Sequence, residues 1–129
     1  MYSYNDVYPE CETLIGKKII NLTVNETSSE VVFECEDGTT YKLSHTQDCC
    51  ESVYITDTDG DPDGVTGEPL TAFYKMESEC KTDEEWGGIS QKTTYVFETE
   101  HGSLRVTWDG SSNGYYGISV DLIRTNIEW

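Results

Sequence analysis

The chain has 129 residues, of which 25 are acidic and eight are basic, and its formal net charge is −17 at pH 7. This length predicts one domain, residues 1–129, with room for a sizeable core. The charge excludes direct binding to nucleic acid and to anionic membranes, because phosphate groups are bound chiefly by Lys and Arg. No stretch approaches the roughly 20 apolar residues that span a bilayer, and none resembles a signal peptide. The five cysteines are an odd number, which favours free thiols in the cytoplasm over a complete set of disulfides.

Residues 5–16 are predicted to form a helix. Apolar side chains recur there at the spacing of one helical face, and Gly16 suits the position just after a helix end. From Lys18 onward the apolar period changes to two, which predicts a strand to Val24 and a second strand over residues 31–35. Asp37-Gly38 then predicts a hairpin turn.

Tyr41, Leu43 and His45 form the apolar face of the returning strand, so His45 is expected to point inward at the end of that strand. A strand begins at Val53, followed by an acidic loop over 56–69, a strand over 70–76 and a flexible excursion over 77–90. A hairpin over 94–108 turns at His101-Gly102, and residues 118–122 close the sheet after a loop. The predicted fold class is α+β, predominantly antiparallel β-sheet with an N-terminal helix and a short helical turn after His45.

The segment around His45 carries the first candidate site. His45, Cys49 and Cys50 supply three nitrogen or sulfur donors within six residues, which favours zinc. Adjacent cysteines point to opposite faces of a strand, so the chain must turn there, and the spacing of Asp48 and Glu51 is typical of a capped helical turn. The fourth ligand could be Asp48, His101, Cys35 or water. The alternative is that both cysteines are buried thiols and that His45 is a hydrogen-bonded core histidine.

A thiol or metal-dependent enzyme centred on His45 and Cys49 is a second interpretation of the same residues. The acidic surroundings disfavour it, because negative neighbours raise the pKa of a thiol and leave little thiolate at neutral pH. No nucleophile elbow, metalloprotease motif or phosphate-binding loop occurs in the sequence. We therefore expect the protein not to be an enzyme.

Asp59, Asp61 and Asp63 occupy the first, third and fifth positions of a calcium-binding pattern, and Gly64 the sixth. The twelfth position is Leu70, where such a loop needs a bidentate Glu. Calcium binding is therefore not expected.

Negative charge is concentrated in residues 46–85, which hold 12 acidic residues against two lysines, a net −10 that leaves −7 for the rest of the chain. Such a field speeds encounter with a basic protein and orients it. The residues predicted to contact the partner are Asp57, Asp59, Asp61 and Asp63. The alternative is that the charge serves solubility alone.

Two blocks of sequence resemble a family of small acidic proteins of phages and prophages with no assigned activity. One is His-x-Gln-Asp-Cys-Cys-Glu-x-Val over residues 45–53, continued by Gly60-Asp61 and the step from Gly67 to Pro69. The other is residues 102–108 with Ser-Asn-Gly-Tyr-Tyr over 112–116. This chain departs from the family pattern over residues 77–90 and at Cys80.

The resemblance implies a phage-type protein acting in the cytoplasm of a bacterial host. Small acidic phage proteins often inhibit host defence, including anti-CRISPR proteins that occupy basic nucleic-acid channels. By that analogy we expect a stoichiometric inhibitor of a host nuclease such as a Cas9-type effector, supported by a structural zinc site. A host-takeover protein that binds a partner other than a nuclease is the remaining alternative.

Overall fold

The computed structural model describes residues 10–45, 51–82, 87–112 and 118–125, and these form two antiparallel sheets that pack face to face. The first sheet has the order β1-β2-β3-β9, and the second has the order β4-β8-β7-β5, with β6 also paired to β7. The strands are β1 (Ile19–Asn25), β2 (Glu30–Cys35), β3 (Thr40–Ser44), β4 (Ser52–Gly60), β5 (Ala72–Glu77), β6 (Lys81–Thr82), β7 (Ile89–Glu98), β8 (Ser103–Ser112) and β9 (Asp121–Arg124).

The predicted α+β class is wrong, because the described part of the chain is nearly all antiparallel β. Its helical elements are two short 3-10 helices, Cys11–Leu14 and Pro62–Val65. The apolar spacing near the N-terminus does not mark a buried helical face: Leu14 is fully buried, whereas Ile15 is extended and 50% exposed. The backbone N–H of Gly16 donates to the carbonyl of Leu70, so tertiary pairing ends the helical turn there. Residues 5–9 of the predicted helix and the predicted turn over 46–50 lie outside the described residues.

The first sheet follows the predicted alternation in β2 and β3, whereas a register shift between Ile19 and Asn21 of β1 buries Ile19 and leaves Ile20 exposed. Every second residue of β2 and β3 faces the core and is buried: Val31, Phe33, Cys35, Tyr41 and Leu43. The hairpin turn is stabilised by Asp37, whose carboxylate accepts the backbone N–H of Thr39 and contacts the ammonium group of Lys17. Gly38 has a φ of +88°, a conformation that glycine adopts without strain.

The second sheet extends well beyond its predicted strands. β4 continues to Gly60, through the first five residues of the segment predicted as an acidic loop, and β7 begins at Ile89, inside the predicted excursion. In the first sheet, the closing strand β9 begins at Asp121, three residues later than predicted. The register of the polar part of β4 is set by its partner strand, because β4 pairs along its length with β8, with a bulge between Ile55 and Asp57.

The core between the sheets is aromatic. Phe33 of the first sheet contacts Phe73 and Phe97 of the second at ring-centroid distances of 6.1 and 5.3 Å, and Tyr95 contacts Trp108 edge to face at 5.9 Å. No helical segment in the described ranges combines the length and hydropathy needed to cross a membrane.

Candidate functional site

His45 lies one residue beyond β3, and its side chain is only 8% exposed. Its Nδ1 atom is 2.7 Å from the carbonyl oxygen of Ser119. Because a carbonyl oxygen only accepts hydrogen bonds, Nδ1 carries a proton and donates it. The predicted inward orientation of His45 therefore leads to a specific contact that fixes the ring.

Glu51 completes this site, and sequence reasoning missed it. Its side chain is fully buried, and Oε2 is 2.8 Å from Nε2 of His45, so the two groups share a proton in a site removed from water. The sequence interpretation assigned Glu51 to a capping box with Asp48, at the start of a short helical turn. The signal that could have found it is the alternation of Glu51 with Val53 and Ile55, both of which pack against the core.

The segment 118–120 contacts this pair through the carbonyl of Ser119 and does not belong to a strand. Ile118 and Val120 are buried, and the hydroxyl of Tyr95 donates to the carbonyl of Val120 at 2.7 Å. Burial raises the pKa of the Tyr95 hydroxyl well above its usual range. His45 and Tyr95 thus donate hydrogen bonds to the consecutive carbonyl groups of Ser119 and Val120, which lie outside the strands. We call His45, Glu51, Tyr95 and residues 118–120 the buried end.

The other predicted metal ligands do not join His45 among the described residues. Cys35 lies at the opposite end of the β2–β3 hairpin, where its backbone N–H pairs with Thr39, about 20 Å from His45 along the strand. His101 lies at the far end of β8, about 30 Å away by strand length, and pairs with Glu68 at 3.2 Å. Both are excluded as a fourth ligand to a metal at His45. Cys49, Cys50 and Asp48 lie outside the described residues, and the described ranges contain no group of three His, Cys, Asp or Glu side chains arranged for a metal.

The His45–Glu51 pair nevertheless has features of a metal-binding half-site. With Nδ1 donating to a carbonyl, Nε2 is left as the coordinating atom, the arrangement usual for metal-binding histidines. Two metal bonds of about 2.0–2.1 Å at a tetrahedral angle would separate Nε2 and Oε2 by about 3.3 Å. The observed separation is 2.8 Å. A zinc ion could therefore replace the shared proton after a small outward shift of Glu51.

Burial raises the pKa of Cys11 and of Cys35, so these two thiols do not have the properties of an activated nucleophile. Cys80 is exposed.

The four predicted partner-binding aspartates are all exposed, but they do not form one row. Asp57 and Asp59 point outward from β4, which is an edge strand of the second sheet. Asp61 caps the 3-10 helix Pro62–Val65 by accepting the backbone N–H of Asp63 at 2.9 Å. The calcium-like pattern of residues 59–64 therefore begins in a strand, and its second carboxylate, that of Asp61, stabilises the turn.

The junction of β4 with this turn requires glycine at position 60. Gly60 has a φ of +109°, and a Cβ atom there would lie 2.3 Å from the carbonyl oxygen of Ser103. This close approach fixes where β4 ends and where the acidic turn begins.

Comparison with known proteins gives a family and no characterised relative. No curated protein and no solved structure matches the chain significantly. A family model described as "Domain of unknown function (DUF7448)" matches residues 12–122, which include β1 to β8 and the first two residues of β9. This confirms the resemblance to an uncharacterised family, and the chain belongs to the DUF7448 family.

Proposed function

We propose that the protein is a binding protein of phage origin that inhibits a host nuclease by occupying its basic, nucleic-acid-binding surface one to one. The observation that carries the proposal is the exposed acidic edge of the second sheet, where Asp57 and Asp59 project from β4 and Asp61 and Asp63 follow directly. The outward positions of the same sheet hold three cations among the described residues, Lys81, Lys92 and Arg105, and Lys92 lies 3.6 Å from Asp109. The edge therefore presents net negative charge to a partner.

A surface of this kind suits a site that normally holds a nucleic-acid backbone. Basic channels in nucleases, including Cas9-type effectors, bind that backbone through its charge and shape, so a surface that displays several carboxylates competes for the same lysines and arginines. Rim charges mainly accelerate association, and their effect is screened by salt. The proposed place of action is the cytoplasm of the bacterial host.

A structural zinc ion belongs to the proposal, with His45, Cys49 and Cys50 as ligands and Glu51 as the fourth. The support is the buried carboxylate held 2.8 Å from Nε2 of His45, directly after the two cysteines in sequence. Zinc deprotonates thiols when it binds them, which overcomes the acidic surroundings. The ion would fix the chain between β3 and β4, immediately before the acidic strand.

The test is a titration of a purified Cas9-type nuclease, loaded with guide RNA, in a DNA-cleavage assay. We expect cleavage to stop near one inhibitor per nuclease and inhibition to weaken as salt is raised. The variant Asp57→Asn with Asp59→Asn should associate about tenfold more slowly, since charges of this kind steer encounter. The double variant Glu12→Gln with Glu26→Gln removes the same charge from exposed positions elsewhere and is the matched control.

Equal loss of inhibition in both variants would show that net charge, rather than the β4 edge, is responsible. Inhibition at a small fraction of the nuclease concentration would instead indicate an enzyme. One-to-one binding without loss of cleavage would indicate a host-takeover protein that does not block nuclease activity.

A further inference from the structure

The outer face of the second sheet has an ordered pattern of side chains that acidity alone does not explain. Strand pairing aligns outward residues in rows from β4 through β8 and β7 to β5. The rows are Tyr54, Asp109 and Lys92; then Asp57, Thr107, Thr94 and Met76; then Asp59, Arg105, Val96 and Tyr74. Two rows thus begin at an aspartate on one edge strand and end at a large apolar side chain on the other.

The apolar side of this face is exposed. Tyr74 is 37% and Met76 is 41% exposed, and they stand two residues apart on β5, so they point in the same direction. Tyr, Trp, Phe and Met are enriched where proteins bind one another. Tyr in particular buries much area at a low cost in conformational entropy.

Strands β8 and β7 form the floor between the two sides. There the hydroxyls of Thr94 and Thr107 hydrogen-bond to each other at 2.9 Å, Val96 is fully buried, and Arg105 is exposed. Three strand spacings separate β4 from β5, which is about 14 Å. An α-helix with its side chains is about 10–12 Å wide, so one helix fits between the two sides.

We propose that this face is the docking surface for an amphipathic basic helix of the partner. Lys or Arg on one side of the helix would meet Asp57 and Asp59, and apolar side chains on the other would cover Tyr74 and Met76. Charge complementarity with the acidic side sets the orientation of the helix, and the apolar side slows its release. This inference rests on the proposed function for the identity of the partner, and it adds what the partner must carry besides positive charge.

The probe is a synthetic helix-forming peptide with Lys on one side and Leu on the other, compared with a scrambled peptide of the same composition. Calorimetry with the full-length protein should show the amphipathic peptide binding at least about tenfold more tightly than the scrambled one. The variant Tyr74→Thr with Met76→Thr should lose about tenfold in affinity through faster dissociation, with an unchanged salt dependence. The control Ile20→Thr with Val32→Thr alters apolar residues of similar exposure on the first sheet, at 45% and 39%, and should bind like the wild type.

Amide chemical shifts of the unmodified protein give a second measurement that does not depend on the folding of any variant. Shifts that move on β4 and β5 when the peptide is added support the docking face, whereas shifts that move only on β1 and β2 overturn it. Equal affinity for both peptides also overturns it, since plain charge attraction would then suffice. If the Tyr74→Thr, Met76→Thr variant inhibits the nuclease as well as the wild type does, the proposed function stands and this inference is wrong. If the protein binds the amphipathic peptide selectively but does not inhibit the nuclease, the docking face is supported and the proposed function is wrong.

Discussion

The two histidines lie at opposite ends of the sandwich, and each pairs with a glutamate. At the buried end, His45 and Glu51 have side chains that are 8% and 0% exposed, and both ring nitrogens of His45 have partners. At the other end, His101 and Glu68 are 67% and 39% exposed at a separation of 3.2 Å. The same two residue types therefore form a desolvated pair in one place and a hydrated pair in the other.

The surroundings differ in the same way. The exposed end, which we call the open end, carries the His101–Glu68 pair. It also carries a cleft of about 440 Å³ that is lined by the ion pairs Lys17–Asp37 and Lys18–Glu36. Its charges stay in water, where ion pairs stabilise little. At the buried end each polar group depends on a protein partner, so removing one leaves another desolvated and unsatisfied. The fold should therefore be sensitive at one end and tolerant at the other.

The largest effect is expected from matched deletions of the two glutamates, measured in chelator by urea denaturation. Glu51→Ala should lower the free energy of unfolding by about 3–5 kcal/mol, because it leaves His45 buried without its partner. Glu68→Ala should cost less than about 1 kcal/mol. Similar losses in the two variants would show that burial does not separate the pairs.

Metal binding would sharpen the contrast. Protein purified without a histidine tag should contain close to one zinc per chain, and its removal should cost about 3–4 kcal/mol when free zinc is 100–1,000 times the Kd. Cys49→Ser and His45→Ala should lower both the zinc content and the Tm, whereas Cys80→Ser, at an exposed thiol, should change neither. A metal-free wild type whose Tm is unaffected by chelator would contradict the zinc site and leave the His45–Glu51 pair as a structural element.

Alkaline unfolding tests the hydrogen bond from Tyr95 to Val120 at the buried end. The pKa of Tyr95 is raised in the folded state by burial, so its contribution to stability is fully present below its unfolded value of about 10 and is lost as pH rises toward the folded-state pKa. Tyr95→Phe should cost about 1 kcal/mol at neutral pH, through loss of the bond to Val120, and should flatten the decline above pH 10. An unchanged alkaline decline in this variant would assign that decline to other groups.

The smallest effect is expected at the open end in acid. The hydrogen bond from Lys17 holds the pKa of Asp37 well below its usual range, so this contribution is present above the unfolded value near 3.9 and is lost as pH falls through the folded-state pKa. Because the pair is exposed and screened, Asp37→Asn should change the acid limb of the stability curve by only a few tenths of a kcal/mol. A loss comparable to that of Glu51→Ala would contradict the distinction between the two ends.

The local alternation predicted β2, β3 and the Asp37-Gly38 turn correctly, because one buried face of each strand leaves a period of two in the sequence. It placed β1 but not the register shift that exposes Ile20. It found the start of β4 at Val53 and failed beyond Ile55, where Thr and Asp alternate without an apolar signal and the register comes from pairing with β8. It also failed at the N-terminus, where the contact of Gly16 with Leu70 overrides a helical spacing. In the site, His45 could be placed by its strand. The pairing of Glu51 with His45 depends on a ring that Ser119 holds in place, far away in sequence, and no local pattern contains that information.

The bulge and the aspartates of β4 also bear on how the protein behaves at high concentration. An edge strand offers unpaired backbone groups to the edge of another molecule, and charges and bulges on that edge oppose such pairing. Asp57 and Asp59 thus guard against self-association and fibre formation. Charge-neutralised variants should for this reason be checked by light scattering before a loss of binding is ascribed to the partner.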